Sequence, residues 1–109
     1  MVMSMVQFSY KAEAIQNLIS SPEDRSKVVK ALIEKLGGKM LSFYYTYGEY
    51  DGFVIAEMPD NVTALATFLA SSNPATISKL KTTILIPVSE AMQAMKKAQG
   101  LTIKPPKGK

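Results

Sequence analysis

Residues 40–58 read MLSFYYTYGEYDGFVIAEM, two apolar and aromatic runs on either side of a Gly-Glu-Tyr-Asp-Gly stretch. Met40 to Tyr47 alternates, with Leu41, Phe43, Tyr45 and Tyr47 on one face and Met40, Ser42, Tyr44 and Thr46 on the other. A period of two is that of a strand. Gly48 to Gly52 supplies turn formers, and Asp51-Gly52 is a favoured tight-turn pair. Phe53 to Met58 is apolar on both faces, as a central strand must be. The stretch therefore predicts a hairpin, and the fold follows from what flanks it.

Upstream, Gly37-Gly38 stops a helix whose apolar stripe is Val28, Val29, Leu32, Ile33 and Leu36. Ser21 is expected to cap that helix, with Pro22 in its first position and Asp24 against the positive end of its dipole. A shorter helical stretch with Ile15, Leu18 and Ile19 precedes it. Before that, Met3 to Tyr10 alternates as a strand, Val6, Phe8 and Tyr10 opposite Met5, Gln7 and Ser9. Downstream, Pro59-Asp60 opens a helix carrying Val62, Leu65, Ala66 and Leu69, which ends around Ser71 to Pro74. Lys79 to Ile86 is a fourth strand closed by Pro87. Ser89 is expected to cap a last short helix that turns Val88, Met92 and Met95 inward.

The order βαββαβ is that of a ferredoxin-like α+β domain with one helix added at its end. Right-handed crossovers then give a four-stranded antiparallel sheet with the first and third strands central and helices on one face. Because the central strands are apolar on both sides, the opposite face is expected to be covered by a second copy of the chain in a sheet-to-sheet dimer.

A chain of 109 residues fits one domain and buries roughly 65% of its unfolded surface on folding. Residues 1–100 are read as that domain and 101–109 as a basic Pro/Lys tail. The net charge of +4 belongs to the end of the chain, where Lys96, Lys97, Lys104, Lys107 and Lys109 are opposed by no acidic residue. The remainder is close to neutral and Arg25 is the only arginine, which argues against specific nucleic-acid binding. Cysteine is absent, excluding disulfides and thiolate chemistry. No run approaches a membrane span and Met1 to Tyr10 lacks the pattern of a leader, so a cytoplasmic setting without membrane partners is expected.

Three segments occur in order that resemble the GYD family: Ile15-Gln16-Asn17 with Ser21-Pro22 and Arg25, then Leu36-Gly37-Gly38-Lys39, then Phe43 to Gly52 with its Gly-x-Tyr-Asp turn. The resemblance covers most of residues 4–95. It implies a ferredoxin-like fold related to the dimeric α/β barrels, in which two sheets pack face to face, and it implies no particular activity. Ala14 stands where that family often has glycine, and Tyr47 where leucine or methionine is common.

The absence of histidine excludes catalytic triads and imidazole metal sites, and no cofactor is expected. Gly37-Gly38 precedes a strand, the reverse of a phosphate-binding loop. The seven methionines fall mostly at core spacings, and Glu49 with Asp51 is too sparse for a hard-metal cage. What the topology collects at one end of the sheet is Ser9, Tyr10, Lys11, Tyr47, Tyr50, Asp51 and Lys79, with Tyr44 and Tyr45 a little inside. Phenols, a carboxylate and ammonium groups beside an apolar sheet suit a small planar or anionic ligand. The same residues have a purely structural reading, with Asp51 holding turn amides. Arg25, near a helix start, is expected to tie the loop through an ion pair. The sequence thus favours a small-molecule-binding or regulatory domain, assembled as a homodimer or a multiple of dimers. Its alternatives are a cofactor-free oxygenase or isomerase, by analogy of fold alone, and a module whose only role is assembly.

Overall fold

A computed structural model describes residues 1–108, so Lys109 of the tail lies outside the described residues. Its elements run β1 (Val2–Tyr10), α1 (Ala12–Ser20), α2 (Arg25–Lys35), β2 (Lys39–Tyr45), β3 (Gly52–Met58), α3 (Asn61–Ser71), β4 (Ile77–Leu85) and α4 (Val88–Ala98). All pairings are antiparallel and the sheet order is β2-β3-β1-β4, which places the first and third strands at the centre as expected. None of the described helices is long and apolar enough to cross a membrane.

Phe8, Val54, Ala56 and Met58 point from the central strands toward the helices and, with Ile33 of α2, form the buried core. Among the described residues Ile33 is the only helical one that is buried, so α2 is pinned through one side chain and the other helices lie more loosely. Phe8 pairs with Gly52, and a Cβ at Gly52 would run into the Phe8 ring and the Tyr44 carbonyl. Glycine is needed there for space. The ring occupies the hollow that a side chain would fill and goes on to meet Tyr10, Phe43 and Tyr45 at centroid distances of 5.2, 5.6 and 6.3 Å.

Several local expectations are corrected. A β-bulge at Leu41 inserts one residue into β2, so Met40 pairs with Ala56, Phe43 with Val54, and both pack against the core on the same face. Strict alternation had put Met40 and Phe43 on opposite faces. Strand β2 stops at Tyr45 rather than Tyr47, because Thr46 closes the loop: its amide donates to the Asp51 carbonyl at 2.8 Å and its hydroxyl to the Tyr50 carbonyl at 2.6 Å. Helix α2 is capped by Asp24, whose carboxylate accepts from the Ser26 amide at 3.0 Å. Ser21 instead ends α1, its amide donating to the Asn17 carbonyl. Asp60 caps α3 through the Thr63 amide at 2.8 Å.

On α3, Val62, Leu65 and Leu69 are exposed, while the half-buried Ala64, Thr67 and Phe68 line the space above the sheet. The small Ala64 and Thr67 among them leave that space unfilled. Ser89 does not cap α4: Pro87 holds that place, with its carbonyl accepting from the Ala91 amide at 3.0 Å, so the helix begins one residue before the expected cap. Val88, Met92 and Met95 are exposed rather than turned inward, because α4 stands off the body of the molecule.

Gly52→Ala is expected to lower stability by about 2 kcal/mol or more, the scale of an overpacked core. Trimming the opposing ring in the double variant Phe8→Leu/Gly52→Ala should make the second change less costly than in the wild-type background, as read by a denaturant-melt cycle.

Candidate functional site

Strand β1 ends at Tyr10, where three connections meet: the loop from Thr46 to Asp51, the start of α1, and the lead into β4. Asp51 stitches this end together. Its amide donates to the Phe8 carbonyl at 2.8 Å, and its carboxylate accepts from the Tyr10 amide at 2.8 Å. The side chain thus stands where the next backbone carbonyl of a longer β3 would have stood, and extends the ladder by one bond. The carboxylate is occupied by structure.

The sheet divides the remaining candidates. Tyr10 faces the helices, whereas Ser9 and Lys79 are a cross-strand pair on the opposite face, and the Lys79 ammonium sits 4.6 Å from the centre of the Tyr50 ring. Ser9 is buried, with its carbonyl accepting from the Ser78 hydroxyl at 3.2 Å. Lys11 precedes α1, exposed, and its amide donates to the Thr76 carbonyl at 2.7 Å. Tyr44 stacks on Phe53 at 5.5 Å, and Tyr47 is fully exposed in the loop. Asp51 and Tyr10 are therefore joined, Tyr50 and Lys79 are joined on the other side, and Tyr44 and Tyr47 belong to neither pair.

Between α2, α3 and the sheet lies a cavity of about 630 Å³, a size that suits a small organic ligand. Its floor is Val6, Phe8, Val54, Ala56 and Leu80, and its walls include Val29, Ile33 and Phe68. Tyr10 and Arg25 also line it. Arg25 makes the ion pair expected of it, Nη1 to the Glu23 carboxylate at 3.0 Å, and is only partly exposed. A single exposed pair of this kind contributes little stability.

Burial pushes the Tyr10 phenol well above the ordinary value of 10.0, hydrogen bonding with Tyr45 adds to the rise, and Arg25 opposes it. At neutral pH Tyr10 is thus a neutral donor beside a fixed cation. Of the cavity residues the sequence singled out Tyr10 and Arg25 but not their juxtaposition. The small Ala64 and Thr67, which leave the cavity open, carried no signal that would have set them apart from a filled helix face. Among the described residues no group of three or more carboxylates is placed to hold a metal ion.

The model of the GYD domain matches residues 5–95 of this sequence. The chain belongs to the GYD family. Among solved structures, the GYD chain is similar to the crystal structure of MtbAldR, with 15% identity over 78% of this chain and a TM-score of 0.54. It spans about half of MtbAldR, 51% of that chain. It is also similar to a dabb family protein with a ferredoxin-like fold from Mesorhizobium loti, at 13% identity, 79% of this chain, 95% of that chain and a TM-score of 0.47. An NIPSNAP domain protein from Burkholderia xenovorans shows 11% identity, 80% and 94% coverage and a TM-score of 0.48. A comparison with curated protein sequences gave no match. At these identities the likeness concerns the fold, and the fold of this GYD domain is ferredoxin-like.

Two outcomes follow for the end of β1. Asp51→Ala leaves the part-buried Tyr10 amide without its acceptor and is expected to cost about 2 kcal/mol, while Asp51→Asn keeps an acceptor and costs less, as paired denaturant melts would read. The raised Tyr10 value means that the unfolded chain ionises this phenol first. Stability is full below pH 10 and declines as pH rises beyond it, and melts from pH 9 to 11 should show that decline reduced in Tyr10→Phe.

Proposed function

We propose that this GYD domain is a homodimer whose subunits each bind a small, mainly apolar molecule with an anionic or hydrogen-bond-accepting head group. The observation that carries this reading is the 630 Å³ cavity, apolar over most of its lining, with Tyr10 and Arg25 among its few polar groups. A body without polar atoms would lie along Phe8, Val54 and Ile33. A carboxylate or similar group would take the Arg25 donors not engaged by Glu23, and the neutral Tyr10 hydroxyl would add a further donor. Burial raises the strength of both contacts relative to water.

The same geometry favours binding over proton abstraction. A phenol held protonated is a poor base at neutral pH, and Asp51, the carboxylate among the candidate residues, is spent on the Tyr10 amide. For the dimer, the supporting observation is the sheet face away from the helices, which carries Met3, Met5, Phe53 and Ile55 at its centre, all half-buried in a single copy. Packing of two such faces is the two-fold arrangement that leaves neither copy with a bare apolar centre. The cytoplasmic setting expected from the sequence is part of the same proposal.

A fluorescent aromatic sulfonate such as 8-anilinonaphthalene-1-sulfonate has the proposed body and head. Titration should show saturable binding that Arg25→Ala weakens about tenfold, the scale of one charge-assisted hydrogen bond, and that Lys79→Ala, on the opposite face, leaves unchanged. Equal affinity in all three proteins would place the probe elsewhere and remove the support for this cavity.

A further inference from the structure

We infer that α4 is an arm that packs its apolar stripe on a second copy of the chain, extending the sheet-to-sheet contact. This rests on the dimer of the preceding section and adds to it the element that the sheet face lacks.

The stripe is Val88, Met92 and Met95, at the i, i+4, i+7 spacing of one helix face, and the three are 76%, 53% and 66% exposed. No residue of α4 is buried. An eleven-residue helix without packing is marginal in water, since isolated helices below about 12–15 residues are barely stable even when rich in alanine. Capping does not make up the difference, because Pro87 offers no side-chain acceptor. A stable α4 therefore needs a surface to bury its stripe. Its own body does not supply one, since α4 packs on none of the strands or the other helices to an appreciable extent.

The position of α4 and the size of the sheet face identify the occupant as another copy. Leu85, the last residue of β4, pairs with Met3 on the open face, and only Ile86 and Pro87 separate it from the helix. The apolar centre of the open face therefore runs through Leu85 and the exposed Ile86 onto the stripe of α4. That centre is small. The register places Lys39 and Glu57 on the open face, as it does Gln7 with Lys81 and Ser9 with Lys79, so polar positions flank an apolar centre of Met3, Met5, Phe53, Ile55 and Leu85, with Tyr44 stacked on Phe53 at the β2 edge. Four strands about 4.8 Å apart and seven residues of about 3.3 Å give the whole face a projected footprint of roughly 440 Å². Lys39, Glu57, Lys79 and Lys81 occupy part of it, which leaves the apolar centre narrow. Giving one α4 and receiving another enlarges the contact with the apolar area it lacks. A two-fold axis guarantees that both arms are used.

The chain has no cysteine, so Met92→Cys offers a single labelling position on the stripe. Sedimentation of the wild type at about 10 µM should show a dimer, and a monomer would overturn both the dimer and the arm. A benzophenone at position 92, photolysed in an equal mixture of natural and nitrogen-15 chains, is expected to give cross-linked peptides with mixed-isotope partners. Exclusively same-chain cross-links, or none, in a dimeric sample would overturn the arm while leaving the sheet contact standing. In parallel, Met92→Glu/Met95→Glu should raise the dimer dissociation constant at least about tenfold with the circular dichroism of the sheet retained, whereas truncation after Gly100 should change it less than about twofold. An unchanged constant in the double variant would equally overturn the proposal.

Discussion

Everything at the end of the sheet where β1 stops depends on the Phe8 ring lying over Gly52. Absence of a side chain at Gly52 lets the ring drop against the sheet, and from there it meets Tyr10, Phe43 and Tyr45. The pairing of Phe8 with Gly52 fixes the register of the two central strands, and one residue further on Asp51 takes the place of a strand carbonyl for the Tyr10 amide. A slip by one residue would turn Val54, Ala56 and Met58 away from the helices and strand that carboxylate. The aromatic cluster, the ladder and the end of β1 are thus one device.

Around that rigid end the helix layer is sparse. Ile33 alone is buried among the described helical residues, while Ala64 and Thr67 stop short of the sheet. A fully packed layer would have no cavity, since interiors normally close to crystal-like density. The domain therefore combines a stiff sheet with a roof that leaves room, which is the usual division between a scaffold and a binding space. Tyr10 belongs to both: its amide is part of the ladder, and its phenol, kept neutral by burial, faces the cavity.

The apolar surface left over follows from the same economy. A chain of this size with a four-stranded sheet and helices on one side has no element to spare for the other side. Met3, Met5, Phe53 and Ile55 stay half-covered, and α4, which the topology sends off the end of the edge strand β4, stays uncovered. Such surfaces are costly for a monomer and natural for a subunit.

Alternation, the Gly-Gly stop and the Asp51-Gly52 turn were enough to determine the number, type and order of the strands and helices, because period and turn chemistry are local properties of the chain. The segments around Phe43 to Gly52 were enough for the family. What sequence alone misread were choices between near-equal local options. Leu41 rather than Met40 turned outward because a bulge absorbed one residue, and Asp24 capped α2 in place of Ser21 because Ser21 was already closing α1. On α3, Val62 and Leu69 faced outward, and the exposed Leu65 reached only the rim of the cavity that Ala64, Thr67 and Phe68 line. The site was legible as a set of residues at one end of the sheet. Only the tertiary structure separated Tyr10 from Ser9 and Lys79 across the sheet, joined Asp51 to the Tyr10 amide, and set Arg25 beside the phenol, because those relations depend on register and crossover over long sequence distances rather than on any neighbour in the chain.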